Sequence, residues 1–298
     1  MTERKHSDVT VSGLGAMGSA LATALLRRGF SVAVWNRSAA KAEALIELGA
    51  HFVPDLSEAV EAAPVTILCL SDHAASMSVL NAKARAAAAG RTVIQLSTVT
   101  SAESRELAAR LEGDCASYLD GQILAYPEDI LEARANLVCS GPLDVFDRHV
   151  SMLKAMAGNV YHVGASYGAA PTFAKAHDSF SLGCYLSLLQ GAAMCARSGV
   201  DLRAWCDYNL RYIDGGAVGR EIGILADQVC ARSYDEGLGA TMSVWKGAAV
   251  KIVEECRSAG ADVAHLSSLL ELMDAAISDG AGGKEIGVLF EQMIRPGQ

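Results

Sequence analysis

Residues 8–29, DVTVSGLGAMGSALATALLRRG, decide the fold of this chain. They predict a short β-strand, a glycine-rich turn and an apolar helix that ends at Gly29. The turn has the spacing GxGxxG. After a strand and before a helix, this spacing is typical of dinucleotide binding, because backbone N–H groups at the helix N-terminus bind the pyrophosphate. The predicted binding residues of the turn are Gly13, Leu14, Gly15, Ala16, Met17 and Gly18.

Strand and helix patterns alternate through the first half of the chain. Apolar runs at 31–36, 51–53, 65–71 and 92–98 predict strands, and 118–124, 135–141 and 160–164 add three more. Helical patterns lie between them, including one helix over 74–90 and one that opens on a capping-box pattern at Ser101. This alternation predicts an α/β fold with a doubly wound, mostly parallel sheet.

The pattern changes after Gly164. One helix is predicted from about Gly168 to Arg197, with Pro171 in its first turn, where proline is tolerated. Helical periodicity then continues to Ile294 with almost no strand signal. We therefore predict a Rossmann nucleotide-binding domain over 1–165, a long interdomain helix over 166–198, and an all-helical domain over 199–298.

Composition excludes several classes of protein. The chain has 298 residues, 51% of them hydrophobic, and a net charge of −9, which argues against disorder and against general affinity for nucleic acid or an anionic membrane. No apolar run reaches the roughly 18 residues of a membrane-spanning helix, and the polar start has no signal-peptide core. The mean hydropathy of +0.23 therefore predicts a subunit interface. Eight cysteines without a CxxC pair predict reduced thiols, a cytoplasmic location and no metal site.

The residues after the second strand indicate which dinucleotide binds. NAD enzymes usually have an acid there for the ribose 2′-hydroxyl. This chain instead has Asn36, Arg37 and Ser38, with Lys41 one turn on. A guanidinium binds a 2′-phosphate with a fork of donors, so we predict NADPH. The alternative is that Arg37 is a solvated surface charge.

Several segments together resemble the β-hydroxyacid dehydrogenase superfamily, and within it the imine reductases and reductive aminases. They are VWNRSAAKAEAL, YLDGQILAYPEDI, NLVCSGP, LLQGAAMCARSGVD and GADVAHLSSLLELMDAAISDGAGG. The resemblance covers nearly the whole chain. It implies NADPH-dependent reduction of a small-molecule imine or iminium, and a homodimer whose helical domains interlock.

The resemblance also implies where the chemistry lies. Its catalytic position on the interdomain helix corresponds to Ala174, which can transfer no proton. Lys175 is adjacent, and Asp178 lies one turn on, on the face of Ala174. We favour Asp178 as the ionisable group of the site, with Lys175 as the alternative. Two further possibilities are that both are ordinary surface charges, or that the substrate arrives as an iminium and needs no acid.

Other candidate residues lie at strand ends and on helices. Leu70 and Ser71 end one strand and Ser97 and Thr98 the next, at the edge where α/β folds bind ligands. The candidates for a substrate pocket are Gln122, Tyr126, Ala174, Tyr185, Met242 and Trp245. The pair Asp72-His73 is expected to lie on the surface. Two other functions stay open: reduction of a carbonyl acid, and NADPH binding without turnover.

Overall fold

The computed structural model describes residues 6–295. It divides into two compact units, residues 1–180 and 181–298. The predicted division at 165/166 lies between the last strand and the long helix, and the division at 198/199 lies just after that helix.

Within the described residues, one eight-stranded sheet forms the centre of the first unit, in the order β3-β2-β1-β4-β5-β6-β7-β8. The predicted doubly wound, mostly parallel sheet is confirmed: β6 and β7 are antiparallel, and every other neighbouring pair is parallel. The strands are β1 Val9–Ser12, β2 Val32–Trp35, β3 His51–Phe52, β4 Val65–Leu68, β5 Thr92–Gln95, β6 Ser117–Leu124, β7 Asn136–Ser140 and β8 Asn159–His162.

Two apolar clusters cover the two faces of this sheet. Ile67 packs in one cluster and its neighbour Leu68 in the other, because successive side chains of a strand point to opposite faces. Both side chains are completely buried. This burial on both faces explains why the sequence shows continuous apolar runs here and not an alternating pattern.

Helices flank the strands of the first unit. They are α1 Ala16–Arg27, α2 Glu43–Glu47, α3 Leu56–Glu61, α4 His73–Val79, α5 Ala82–Ala87, α6 Ser101–Gly113, α7 Pro127–Leu131 and α8 Leu143–Met156. Two sequence predictions were wrong in detail. The single helix predicted over 74–90 is α4 and α5, because the Asn81 side chain accepts from the N–H of Ala84 and begins a new helix. The capping box of α6 is formed by Thr100 and Glu103, one residue before the predicted start.

The long helix, α9, runs from Ala169 to Arg197, as predicted within one residue. By length and composition alone it could cross a membrane: an 18-residue window has a mean hydropathy of 1.2, and 6% of that window is buried. The sequence expectation of no such helix was wrong, because it counted uninterrupted apolar runs. Lys175 and Asp178 lie in the first three turns of α9.

The second unit is helical, as predicted, with α10 Leu202–Asp214, α11 Ala217–Ala231, α12 Met242–Ala259, α13 Ala264–Ser278 and α14 Leu289–Met293. Its core contains Met242, Met273 and Leu289. A loop before α12 is held by the buried Glu285, whose carboxylate accepts from the N–H groups of Leu238 (2.8 Å) and Gly239 (2.6 Å).

Candidate cofactor site and catalytic pair

The glycine turn lies between β1 and α1, and its backbone is in close contact with the end of β4. Gly13 has φ +97°, and a β-carbon on it would overlap the carbonyl oxygen of Cys69. A β-carbon on Gly18 would overlap the carbonyl oxygen of Gly13. Glycine is therefore required at both positions for the turn to form against β4. Next to Gly15, by contrast, a β-carbon would meet no atom within 4 Å, so this face of the turn is open.

A cavity of about 340 Å³ opens from this turn along the carboxyl edge of the sheet. Its lining includes Asn36, Arg37, Lys41, Leu70 and Ser71, together with all six residues of the turn. The structure therefore brings eleven of the fourteen predicted cofactor residues to one cavity. Sequence reasoning missed four lining residues: Trp35, Cys69, Ala75 and Val79. Trp35 and Cys69 directly precede predicted residues at strand ends, so their position in the sequence could have identified them.

The remaining three predicted cofactor residues lie outside the lining. Ser97 is buried, and its hydroxyl oxygen accepts from the N–H of Leu70 at 2.8 Å, so it holds the turn after β4 in place. The carbonyl of Ser38 accepts from the Asn36 side chain. Thr98 is exposed at the end of β5. Their predicted contacts with the cofactor stay predictions.

Asn36 connects the two loops of the cavity. Its Oδ1 accepts from the N–H of Leu14 at 3.0 Å, and its Nδ2 donates to the carbonyl of Ser38 at 3.0 Å. One amide thus joins the glycine turn to the loop that carries Arg37. A carboxylate would accept from Leu14 equally well but could not donate to Ser38.

The electrostatics of the cavity favour an anionic ligand. Arg37 and Lys41 supply two cations, and the described residues of the lining include no carboxylate. An NADP-type dinucleotide fits this set: the glycine face admits a pyrophosphate, and the cations suit a 2′-phosphate. Asp72 is close enough for the charge of Arg37 to help lower its carboxyl pKa, after the larger effects of the N–H of Ala75 and the Ser71 hydroxyl.

The pair Asp72-His73 has a structural role. Asp72 caps α4 by accepting from the N–H of Ala75 at 2.7 Å. His73 Nε2 lies 3.2 Å from a carboxylate oxygen of Glu106, and its side chain is 12% exposed. His73 is thus less exposed than the expected surface position, because its ring is held against Glu106 of α6. Among the described residues, His, Cys, Asp and Glu form no cluster of three or more able to hold a metal ion.

The predicted catalytic residues form an ion pair on α9. Lys175 Nζ donates to Asp178 Oδ2 at 2.9 Å, and both side chains are about half exposed, at 55% and 49%. Ala174, the residue directly before Lys175, is buried at 3% exposure. The helix therefore presents one acid and one ammonium side by side, two groups of the kind that transfer protons.

The other predicted pocket residues are in different environments. Gln122 is buried on β6 and donates to the carbonyl of Gly121 at 2.9 Å. Tyr126 precedes α7 and is 76% exposed, and Tyr185 on α9 is 62% exposed. Met242 packs in the core of the second unit, whereas Trp245, one turn on, is 36% exposed. Their role in a substrate pocket stays a prediction.

Comparison with known proteins extends over the whole chain. Residues 8–164 match the family described as the NAD binding domain of 6-phosphogluconate dehydrogenase, and residues 166–295 match the C-terminal domain of NADPH-dependent reductive aminase-like proteins. An NADPH-dependent reductive aminase of Aspergillus oryzae is 30% identical over 96% of both chains. The structure of an imine reductase from Pseudomonas sp. is 31% identical, with a TM-score of 0.81 over 97% of this chain and 99% of that one.

A carbonyl reductase matches a smaller part. Glyoxylate/succinic semialdehyde reductase 1 of Arabidopsis thaliana is 26% identical over 53% of this chain and 55% of its own length. Similarity to the reductive aminase and the imine reductase thus includes the helical half.

Proposed function

We propose, since this chain belongs to the family of imine reductases and reductive aminases, that it reduces a C=N bond to an amine with NADPH as reductant. The observation that carries the proposal is similarity along the entire chain, including residues 166–295. The similarity to the carbonyl reductase covers about half of the chain. Reduction of a carbonyl acid is therefore the less supported alternative.

The cavity beside the glycine turn supports NADPH as the cofactor. The turn would hold the pyrophosphate, and Arg37 and Lys41 would bind the 2′-phosphate. When bound, NADPH supplies the hydride that the imine carbon accepts. Ser97 contributes indirectly, because it holds the backbone of Leu70, which lines the cavity.

The pair on α9 is assigned to the substrate nitrogen. Asp178 protonates that nitrogen, or stabilises the positive charge of an iminium until the hydride arrives, and Lys175 is the alternative proton donor. The half-exposed ion pair leaves both groups accessible to a ligand. Because Ala174 cannot transfer a proton, the pair takes the place of the group that the family resemblance implies there.

Activity should be measured as the loss of NADPH absorbance with a cyclic imine and, in parallel, with a semialdehyde acid. We expect turnover of the imine. Turnover of the acid alone would replace the proposed reaction by carbonyl reduction. NADPH binding without turnover of either compound would favour a protein that only binds the dinucleotide.

The catalytic assignment is tested by Asp178→Asn and Lys175→Gln. General acid catalysis is worth about 10²–10⁴-fold, so we expect Asp178→Asn to lower kcat by about 100-fold or more. The matched control is Asp144→Asn, which breaks an exposed helical ion pair with Arg148 on α8. An unchanged kcat in Asp178→Asn with a large loss in Lys175→Gln would move the role to Lys175.

We propose further that the chain forms a homodimer through its helical domain. Leu182, Tyr185 and Leu189 on α9 are 62–66% exposed, and α10 has no buried residue. A second copy that covers these faces would remove this apolar area from water. The two family matches, which meet between 164 and 166, support the first boundary of the proposed division 1–165, 166–198 and 199–298. The eight free cysteines support a cytoplasmic location.

A further inference from the structure

Asp120 is a buried carboxylate in the middle of the sheet, outside the cofactor cavity. It lies on β6 and has no exposed surface. Its hydrogen-bond donors include the hydroxyls of Ser104 on α6 and Ser140 on β7, and the N–H of Gly168, which lies 2.5 Å from Oδ2. Burial raises the pKa of the Asp120 carboxyl, and these hydrogen bonds act in the opposite direction. A buried carboxylate is costly unless it is hydrogen-bonded in this way.

Two of these donors connect Asp120 to the start of α9. Gly168 directly precedes the helix. The Ser140 hydroxyl, which donates to Asp120, also accepts from the N–H of Ala170 at 2.8 Å. The first N–H groups of a helix have no partner inside it, so these bonds supply partners from the sheet. Gly168 has φ +90°, and a β-carbon there would lie 2.8 Å from the carbonyl oxygen of Ser101, so glycine allows this close approach.

The catalytic pair lies on the same helix. Asp178 is ten residues after Gly168, which is about 15 Å along the helix axis. A helix behaves as a rigid element over this distance, so a change of tilt at its first turn displaces Asp178. Gly168 and Asp178 both lie within the first compact unit.

We propose that Asp120 is a positioning residue for the reduction: through Gly168 and Ser140 it fixes the start of α9, and thereby the place of Lys175 and Asp178. The inference rests on the proposed function. Asp120 acts through the helix and not by contact with a ligand, so nucleotide binding should be independent of it.

Ser104 and Ser140 form a matched pair for the test. Each hydroxyl donates to the same carboxylate, but of the two, Ser140 also bonds to α9. We would compare Ser140→Ala, Ser104→Ala and Asp120→Asn for kcat with a cyclic imine and for the Kd of NADPH. Thr10→Val, which removes a buried hydrogen bond from β1 to the carbonyl of Ala59 on α3, controls for stability.

The expected result is a fall in kcat of about 10-fold or more in Ser140→Ala and Asp120→Asn, because misplacement by about 1 Å can cost about 10²-fold. Ser104→Ala and Thr10→Val should stay within about twofold of the wild type, and all variants should keep the Kd of NADPH. Ser140→Thr, which retains the hydroxyl, should restore kcat. Equal losses in Ser104→Ala and Ser140→Ala, or no loss in Ser140→Ala, would overturn the proposal.

Hydrogen exchange tests this inference independently of the proposed function. Amide exchange over 169–178 should be faster in Asp120→Asn and in Ser140→Ala than in Ser104→Ala. If the wild-type chain reduced no imine, the proposed function would fall, and the exchange comparison would still decide whether Asp120 fixes the start of α9. If Asp120→Asn fails to fold, Ser140→Ala and Ser104→Ala replace it in every assay, since both remove a bond to Asp120 and, of the two, Ser140→Ala also removes the bond to α9.

Discussion

At the scale of single residues, we expect Gly18 to matter for stability and Gly15 for cofactor binding. Gly18→Ala should lower the free energy of unfolding by about 1–3 kcal/mol, because its β-carbon would overlap the Gly13 carbonyl. Gly15→Ala has room in the free protein and should cost at most about 1 kcal/mol as a helix cap. Its methyl group would occupy the open face of the turn, where the pyrophosphate would bind, so the Kd of NADPH should rise by about 10-fold or more. Urea unfolding and fluorescence titration with NADPH measure the two effects; equal loss of stability in both variants would contradict the turn geometry.

Arg37 should decide the preference for NADPH over NADH. Arg37→Gln removes charged hydrogen bonds worth about 1.5–3 kcal/mol, so the KM for NADPH should rise by about 10- to 100-fold while that for NADH changes little. Lys83→Gln, which removes an exposed cation paired with Asp55, is the control. A rise of both KM values together would show that Arg37 supports the fold of the cavity and not recognition of the phosphate.

At the scale of elements, α8 carries a histidine whose protonation opposes folding. His149 packs against the start of β5, where its Nε2 lies 2.9 Å from the Thr92 hydroxyl. Burial, and then the charge of Arg148, lowers the pKa of His149 below 6.5. The unfolded chain therefore binds a proton more readily, and the contribution of His149 is present above pH 6.5 and lost as the pH falls through the folded-state pKa.

His149→Gln should accordingly flatten the fall of Tm between neutral and mildly acidic pH. Arg148→Gln removes the smaller of the two causes of the lowered pKa and should flatten the fall of Tm less. Thermal unfolding at a series of pH values measures both. A steeper acid loss in His149→Gln than in the wild type would show that the sign of this linkage is wrong.

The elements were largely predictable where a local pattern determines them. The glycine turn and the start of α9 at Ala169 follow from spacing, flanking strands and Pro171. The break between α4 and α5 could not be predicted, because an alanine-rich run favours one continuous helix. A single side-chain hydrogen bond of Asn81 begins a new helix there. The antiparallel β6–β7 pair was also not predicted, because pairing direction depends on the connection and not on the strand sequence.

The candidate site was predictable to a similar degree. Arg37 and Lys41 follow a strand end, which predicts a shared edge. Asp120 was missed, because a single acid within a strand gives no periodic signal, and its donors come from Ser104, Ser140 and Gly168, far away in sequence. The bonds of Asn36 to both loops likewise depend on the folded turn.

At the scale of the whole molecule, the exposed apolar faces of α9 and α10 predict a dimer. Leu189 is 66% exposed, so a second copy would bury it, and Leu189→Glu would place a charge in that interface. We expect the wild type to be a dimer and Leu189→Glu a monomer by light scattering after size exclusion. Leu48→Glu is the same substitution at a leucine of the first unit that is 51% exposed, and this variant should remain a dimer. A monomeric wild type, or its recovery in the membrane fraction, would contradict the proposal.

Glu285 has a consequence for how the chain acquires its structure during synthesis. The loop that it holds is 47 residues earlier in the sequence, at Leu238. The nucleotide-binding sheet, in contrast, has all its strands once His162 has left the ribosome. Domains generally fold as units in the order of their synthesis. The first unit can therefore close early, whereas the segment before α12 must wait, without its acceptor carboxylate, until Glu285 has left the ribosome.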